Sequence, residues 1–181
     1  MIKVAALTGY KSYELGIYKN NDPAIDYIKK TISRRIIELM EDGLEWVIIS
    51  GQPGVELWAA EVVFELQEEY NELKLALITP FLNQEEKWKE DNKELYEMVM
   101  MQADFTESLS KLPYTAPWQF RNKNNFFLQK TDAAIILYDE EKEGSPKFFY
   151  EAAKLYQQSK SYELRMIDFY DLQAAVDESN F

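Results

Sequence analysis

Trp46-Val47-Ile48-Ile49-Ser50-Gly51-Gln52-Pro53-Gly54-Val55-Glu56 is the stretch whose reading decides the fold. Its apolar run is too short for a helix and rich in β-branched residues, as expected of a strand buried on both faces. Gly51, Pro53 and Gly54 then break the strand. Beyond them Val55, Ala59, Val62, Val63, Leu66 and Tyr70 recur at helical spacing. A strand, a tight turn and a helix in that order form half of a βαβ unit.

The same grammar extends in both directions. Upstream, Ile2 to Leu7 reads as a strand, and a helix begins near Asp22. Asp22 is a suitable N-cap and Pro23 a suitable first helical residue. Ile25, Ile28, Ile32, Ile36 and Leu39 share one face of that helix, and Gly43 fits a stop just past its end. Downstream, the pattern predicts a strand over Leu73 to Thr79 stopped by Pro80, a helix around Lys93 to Ala103 and a short strand from Asp104 to Ser108. It continues with a helix around Trp118 to Gln129, a strand from Ala133 to Tyr138, a helix opened by Ser145-Pro146, a strand over Glu163 to Ile167 and a short helix near Asp171 to Val176. This alternation predicts one α/β domain over residues 1–181, a Rossmann-like three-layer sandwich with a mostly parallel sheet. Right-handed crossovers place all strand carboxyl ends on one edge, and ligands bind there where the strand order reverses. The edges to inspect are Thr8-Gly9, Ser50-Gly51, Thr79-Pro80 and Tyr138-Asp139.

Composition limits the chemistry. With no cysteine and no histidine, disulfides, thiolate nucleophiles and imidazole bases are all ruled out. Any acid or base is Asp, Glu, Lys or Tyr. No dedicated metal site is expected, although carboxylates leave room for Mg²⁺ beside a phosphorylated ligand. The net charge of −12, with bases interleaved among acids as in Glu85-Glu86-Lys87-Trp88-Lys89-Glu90-Asp91, predicts no direct nucleic-acid binding and no membrane contact. No apolar run approaches the roughly 18 residues of a membrane span, and the N-terminus lacks a signal-peptide pattern, so a cytoplasmic protein is expected.

The Gly51–Glu56 loop is neither a Walker A loop nor a GxGxxG fingerprint. It reads either as a tight βα turn or as a ligand element in which glycines let backbone approach the ligand. Glu56 suits a first helical turn, and as a site residue it would repel phosphate while accepting from a sugar hydroxyl or a base N–H. A division of labour follows. This loop takes ribose or base, and a second helix start, Gly144-Ser145-Pro146, takes any phosphate, although that triplet also reads as an ordinary cap. The loop from Thr8 to Gly16 is long for a βα connection and offers Lys11 and Glu14 to the cleft or to solvent. Trp88 and Trp118 either stack on a base or pack under a loop.

Several of these stretches resemble the YpsA family of Firmicutes proteins: Val4 to Ile17, Gly43 to Glu61, Ile78-Thr79-Pro80-Phe81 and Tyr138 to Lys147. That family belongs to the SLOG superfamily, together with the DNA-processing protein Smf and the lysine-decarboxylase-like phosphoribohydrolases. The superfamily's Gly-x-x-Gly-x-Asp/Glu element resembles Gly51, Gly54 and Glu56, its Arg-Asn element resembles Lys123-Asn124, and its Gly-Ser/Thr element resembles Gly144-Ser145. The resemblance implies a nucleotide or nucleotide-derived ligand held by Thr8, Gly9, Tyr10 and Lys11, by Gly51, Gln52, Gly54 and Glu56, by Thr79 and Pro80, and by Lys123, Asn124, Gly144 and Ser145. The phosphoribohydrolases carry a Glu where this chain has Phe148, which weighs against a hydrolase. Three readings stay open. One is a nucleotide-ligand sensor or regulator, connected through the resemblance with cell division or stress. The second is an N-glycosidic-bond hydrolase or transferase using Glu56. The third is a protein-interaction module with a vestigial cleft. A homo-oligomer is expected by analogy with Smf-like relatives.

Overall fold

The computed structural model describes residues 1–180. In chain order the strands are β1 (Val4–Gly9), β2 (Trp46–Ile49), β3 (Lys74–Thr79), β4 (Phe105–Ser108), β5 (Ala133–Leu137) and β6 (Glu163–Ile167). The helices are α1 (Pro23–Glu41), α2 (Val55–Gln67), α3 (Glu90–Gln102), α4 (Trp118–Lys130), α5 (Pro146–Tyr156) and α6 (Phe169–Ser179). A short 3₁₀ turn, Ser12–Leu15, follows β1.

The strands form one sheet in the order β4-β3-β2-β1-β5-β6. Every neighbouring pair is parallel, which sharpens the expected mostly parallel sheet to a wholly parallel one. The inner strands are apolar because both of their faces are covered. Val47, Ile48 and Ile49 are buried, as is every residue of β5. On β1, α2 covers one face and α4 the other; α1 packs against α2 and α6, and α4 packs against α5. The result is a Rossmann-like three-layer sandwich.

Local signals set most boundaries. The Asp22 carboxylate accepts the Ala24 N–H at 2.9 Å, with Pro23 opening α1. The five apolar residues expected on the face of α1 are all buried. Three starts differ from expectation by two residues or more. β1 starts at Val4 because the Asp132 carboxylate takes the Lys3 and Val4 N–H groups at the sheet's lower edge. α3 starts at Glu90, so that Glu90 and Asp91 lie in the first turn, where the helix dipole favours them. α6 starts at Phe169 because Asp168 caps it reciprocally with Asp171. Among the described residues, no helix is long and apolar enough to cross a membrane.

From β1 the chain proceeds outward through β2, β3 and β4, then returns to the other side of β1 as β5 and β6. The strand order therefore reverses between β1 and β5, and a crevice opens at the carboxyl ends there.

Candidate functional site

The end of β1 and the start of α2 interlock. A Cβ on Gly9 would fall 2.6 Å from Val55 Cγ1, so only glycine lets α2 settle this closely on β1. The next residue, Glu56, is buried and directs its carboxylate back into the turn that precedes it. Its Oε1 accepts the Ser50 N–H and the Ser50 hydroxyl, both at 2.8 Å, and the Gly51 N–H at 3.0 Å. The Gln52 N–H is at 3.4 Å, and Oε2 accepts the Thr8 hydroxyl at 2.9 Å. Glu56 is thus the internal acceptor around which the β2–α2 turn is wrapped. One lone-pair direction of Oε2 is left for anything else.

The glycines of this turn answer to protein neighbours. Gly51 has φ +91°, and a Cβ there would lie 2.8 Å from Leu77 and Tyr96 side-chain atoms. Gly54 has φ +105°, and a Cβ would meet backbone, with Ser12 N at 2.5 Å and Tyr10 O at 2.7 Å. The Val55 N–H also donates to Tyr10 O at 3.1 Å. The turn is therefore pressed against the loop after β1. Gln52 is partly exposed, and its amide is fixed by donation to Gln84 Oε1 at 2.8 Å, while Gln84 Nε2 donates to Ser50 O at 2.7 Å.

The second loop pair is joined the same way. Glu14 accepts the Ser145 N–H at 2.8 Å and the Ser145 hydroxyl at 2.6 Å, and the Lys11 N–H at 2.8 Å. Burial pushes the Glu14 carboxyl up, but these hydrogen bonds outweigh it and hold the group below its ordinary value. A Cβ on Gly144 would fall 2.5 Å from Glu14 Oε2. This corrects the expected division of labour. The start of α5, read as the phosphate subsite, already holds a carboxylate from the loop after β1. Tyr10 completes the junction. Fully buried, it donates to Lys142 O at 2.5 Å and accepts the Asp139 N–H at 2.9 Å.

A cavity of about 540 Å³ opens over these loops, between the starts of α4 and α5. From α4 come Lys123 and Asn124. Lys123 Nζ lies 5.3 Å from the Phe127 ring centre and 5.8 Å from that of Phe149. Among the described residues, no carboxylate stands within 4.0 Å of it. Burial pushes the Lys123 ammonium down from the ordinary lysine range; the field of Glu56 opposes this and that of Lys11 reinforces it. Asn124 Oδ1 is buried without a hydrogen-bond partner, the one such side-chain atom among the described residues. Within the described residues its desolvation is uncompensated.

Of the residues expected to form the site, the cavity gathers Thr8, Gly9, Lys11, Gln52, Glu56, Lys123, Asn124 and Ser145. Tyr10, Gly51, Gly54, Thr79, Pro80 and Gly144 do not line it. Thr79 ends β3 and Pro80 follows it, two strands from the switch point, and the others are packing positions. Sequence reasoning missed Phe120 and Arg121, and it considered Phe148 only for the carboxylate it lacks. Phe148 is 72% exposed at the cavity mouth. Phe120 is braced by Phe81 and Tyr114, with ring centres 5.4 and 5.8 Å away. The buried Gln119 orders the preceding loop, accepting from the Thr115 and Ala116 N–H groups at 2.7 and 3.2 Å. A signal was readable: α4 carries Arg121, Lys123 and Lys130 and no acid, in a chain with 32 acids. Trp118, 44% exposed at the start of α4, is not under a loop.

Comparison with known proteins agrees with this architecture. The sequence model of the family described as "YspA SLOG family" matches residues 5–172. A "UPF0398 protein" of Bacillus cereus is 56% identical over 180 residues, covering 99% of this chain and 98% of the relative. One from Bacillus thuringiensis is 56% identical with the same coverage. Among solved structures, DNA processing protein A from Helicobacter pylori, described for its single-stranded DNA binding mode, superimposes with a TM-score of 0.52. It is 15% identical, and the match covers 97% of this chain and 80% of that one, so it speaks to the fold. It also overturns the expectation of no direct nucleic-acid binding. That expectation rested on net charge, and a protein of this fold is described as binding single-stranded DNA. Net charge is a sum, whereas binding depends on where the cations stand, and here Lys11, Arg121 and Lys123 line one cavity without ion pairs among the described residues.

Proposed function

The chain belongs to the YspA SLOG family, and on that premise we propose that it binds a nucleotide or nucleotide-derived ligand in the cavity between α4 and α5, as a sensor or regulator. The carrying observation is the pair Lys123 and Asn124. The same cavity is lined by a cation held below its ordinary pKa, without an ion-pair partner among the described residues, and by a buried amide oxygen that accepts from nothing there. Both groups are costly as they stand, and an anionic ligand with a donor group relieves both. Lys123, Lys11 and Arg121 suit the phosphate. Phe120 and Phe148 offer faces on which a base stacks. The binding reading is favoured over hydrolysis because Glu56 is committed to its own turn and Phe148 supplies no second carboxylate.

Base and phosphate are chemistry shared by free nucleotides and single strands. Because the Helicobacter pylori neighbour is described for its single-stranded DNA binding mode, an oligonucleotide belongs in the same panel. The test is isothermal titration of the full chain with nucleoside mono-, di- and triphosphates and a short oligothymidylate, with chromatography for released base. Binding without turnover, weakened about tenfold or more by Lys123→Met and by Asn124→Leu, is expected. Base release at a catalytic rate would overturn the binding reading in favour of the enzyme. Absence of heat with every ligand would overturn both.

A further inference from the structure

We infer that a second hollow, across Lys11 and Gln52 from the first, is a subsite for another nucleotide unit, so that the preferred ligand carries two bases joined through phosphate. This rests on the nucleotide reading of the first cavity. The second hollow has a volume of about 320 Å³. Its walls are the loop after β1, the β2–α2 turn and the segment leading into α3. Lys11 and Gln52 line both hollows, so the two are neighbours along the carboxyl edge of the sheet.

The wall chemistry is unlike the rest of the surface. Lys11, Lys19, Lys87 and Lys89 line it with a single carboxylate, Asp91, in a chain whose acids outnumber its bases 32 to 20. Among the described residues none of these four lysines is in an ion pair, whereas Lys29, Arg34, Arg35, Lys147 and Arg165 all are. Unpaired cations concentrated in a concave site hold an anion. The aromatic surface is of the matching kind. Tyr18 is 66% exposed, with Lys89 Nζ 5.8 Å from its ring centre. Trp88 is half-buried and steadied edge-on by Tyr96 at 5.2 Å. Cations beside exposed rings are the elements that hold a phosphate and stack a base with little regard to sequence. The shared wall at Lys11 and Gln52 is where a linking phosphate lies, since Gln52 is oriented by Gln84 and Lys11 faces both sides.

The chemistry fits a pyrophosphate-linked dinucleotide and a short single strand alike, and the experiment separates them. The full chain is titrated with AMP, with diadenosine pyrophosphate and with 5′-phosphorylated pApA, as wild type and as the Lys87→Ser/Lys89→Ser and Tyr18→Ala variants. These positions are exposed, and thermal melts confirm that the variants fold. At least one two-base ligand is expected to bind about tenfold or more tighter than AMP, and whichever does so identifies the linkage. The double variant and Tyr18→Ala are each expected to remove most of that gain while leaving AMP affinity unchanged. AMP binding with no gain from a second base would overturn this inference alone. A variant that weakens AMP and the two-base ligands equally would also overturn it. If none of the ligands binds, the reading beneath it falls as well.

Discussion

Replacing Glu56 separates a structural carboxylate from a ligand-contacting one. Glu56→Ala removes the acceptor of three buried donors: the Ser50 N–H, the Ser50 hydroxyl and the Gly51 N–H. Each buried donor left unsatisfied costs about 1–3 kcal/mol. The adjoining cavity admits water to some of them, so a total of about 4 kcal/mol is reasonable. For a domain of this size that corresponds to roughly 12 °C in melting temperature. The same change strips Lys123 of the negative charge that sustains its ammonium, which adds to the cost. Glu56→Gln keeps an acceptor oxygen toward Ser50 and Gly51 and turns its NH₂ toward Thr8, whose hydroxyl reverses to accept. It loses charge assistance and, like alanine, the field that sustains the Lys123 ammonium, together about 1–2 kcal/mol, or roughly 3–6 °C. Urea titrations of the three proteins give the free energies directly, and thermal melts give the temperatures. An alanine variant within about 1 kcal/mol of wild type, or a glutamine variant as damaged as alanine, would refute the view that the turn is built around this carboxylate.

Three further outcomes follow from the same geometry. Gly54→Ala places a methyl into the backbone at Tyr10 to Ser12 and forces alanine to φ +105°; a loss of roughly 3 kcal/mol in urea titrations is expected, so weakened ligand binding in this variant reports on folding as much as on contact. Glu14→Gln destabilises the protein at neutral pH; because the Glu14 pKa is depressed in the folded state, its contribution is present above the unfolded carboxyl value and lost as pH falls through the folded one, so the wild-type and variant urea midpoints converge in acid. Lys123→Met leaves the melting temperature of the unliganded protein unchanged or raises it; the folded Lys123 pKa lies below the unfolded value, so its cost is fully present at low pH and relieved as pH rises through the folded pKa, and the advantage of Met shrinks toward alkaline pH in parallel melts.

The fold was legible because its signals are local. The run Trp46 to Ile49, the breaks at Gly51 to Gly54 and the apolar spacing of α1 each settle an element within a few residues of chain. Of the residues lining the candidate cavity, some were legible. Thr8, Lys11, Gln52, Glu56 and Ser145 follow strand ends or open helices, positions that topology alone carries to the crevice. The partners of these residues were not legible. Glu14 and Ser145 are 131 residues apart, and no local pattern indicates that the carboxylate of one closes the helix of the other. Glycine was the most ambiguous signal. Gly9, Gly51, Gly54 and Gly144 suit close approach of a ligand, yet each is required by a protein atom that a Cβ would strike. Thr79-Pro80 was overcalled because every strand end looks alike until the strand order is known.

The two carboxylates also change where an anion can be held. In many α/β proteins the phosphate lies on free N–H groups at a helix start, and the dipole supplies much of the attraction. Here Glu56 takes the N–H groups of the turn before α2, and Glu14 takes the Ser145 N–H at the start of α5. A phosphate brought to either place would meet a negative charge and satisfied donors. Positive charge is offered instead by side chains on the other walls, Lys123 and Arg121 from α4 and Lys11 from the loop after β1. Attraction from exposed side chains such as Arg121 at a partly open cavity is screened by salt more than attraction from buried backbone donors. Affinity in the proposed site should therefore fall with ionic strength, and on that reading Glu14 and Glu56 would keep a phosphate over the cations and away from the helix starts.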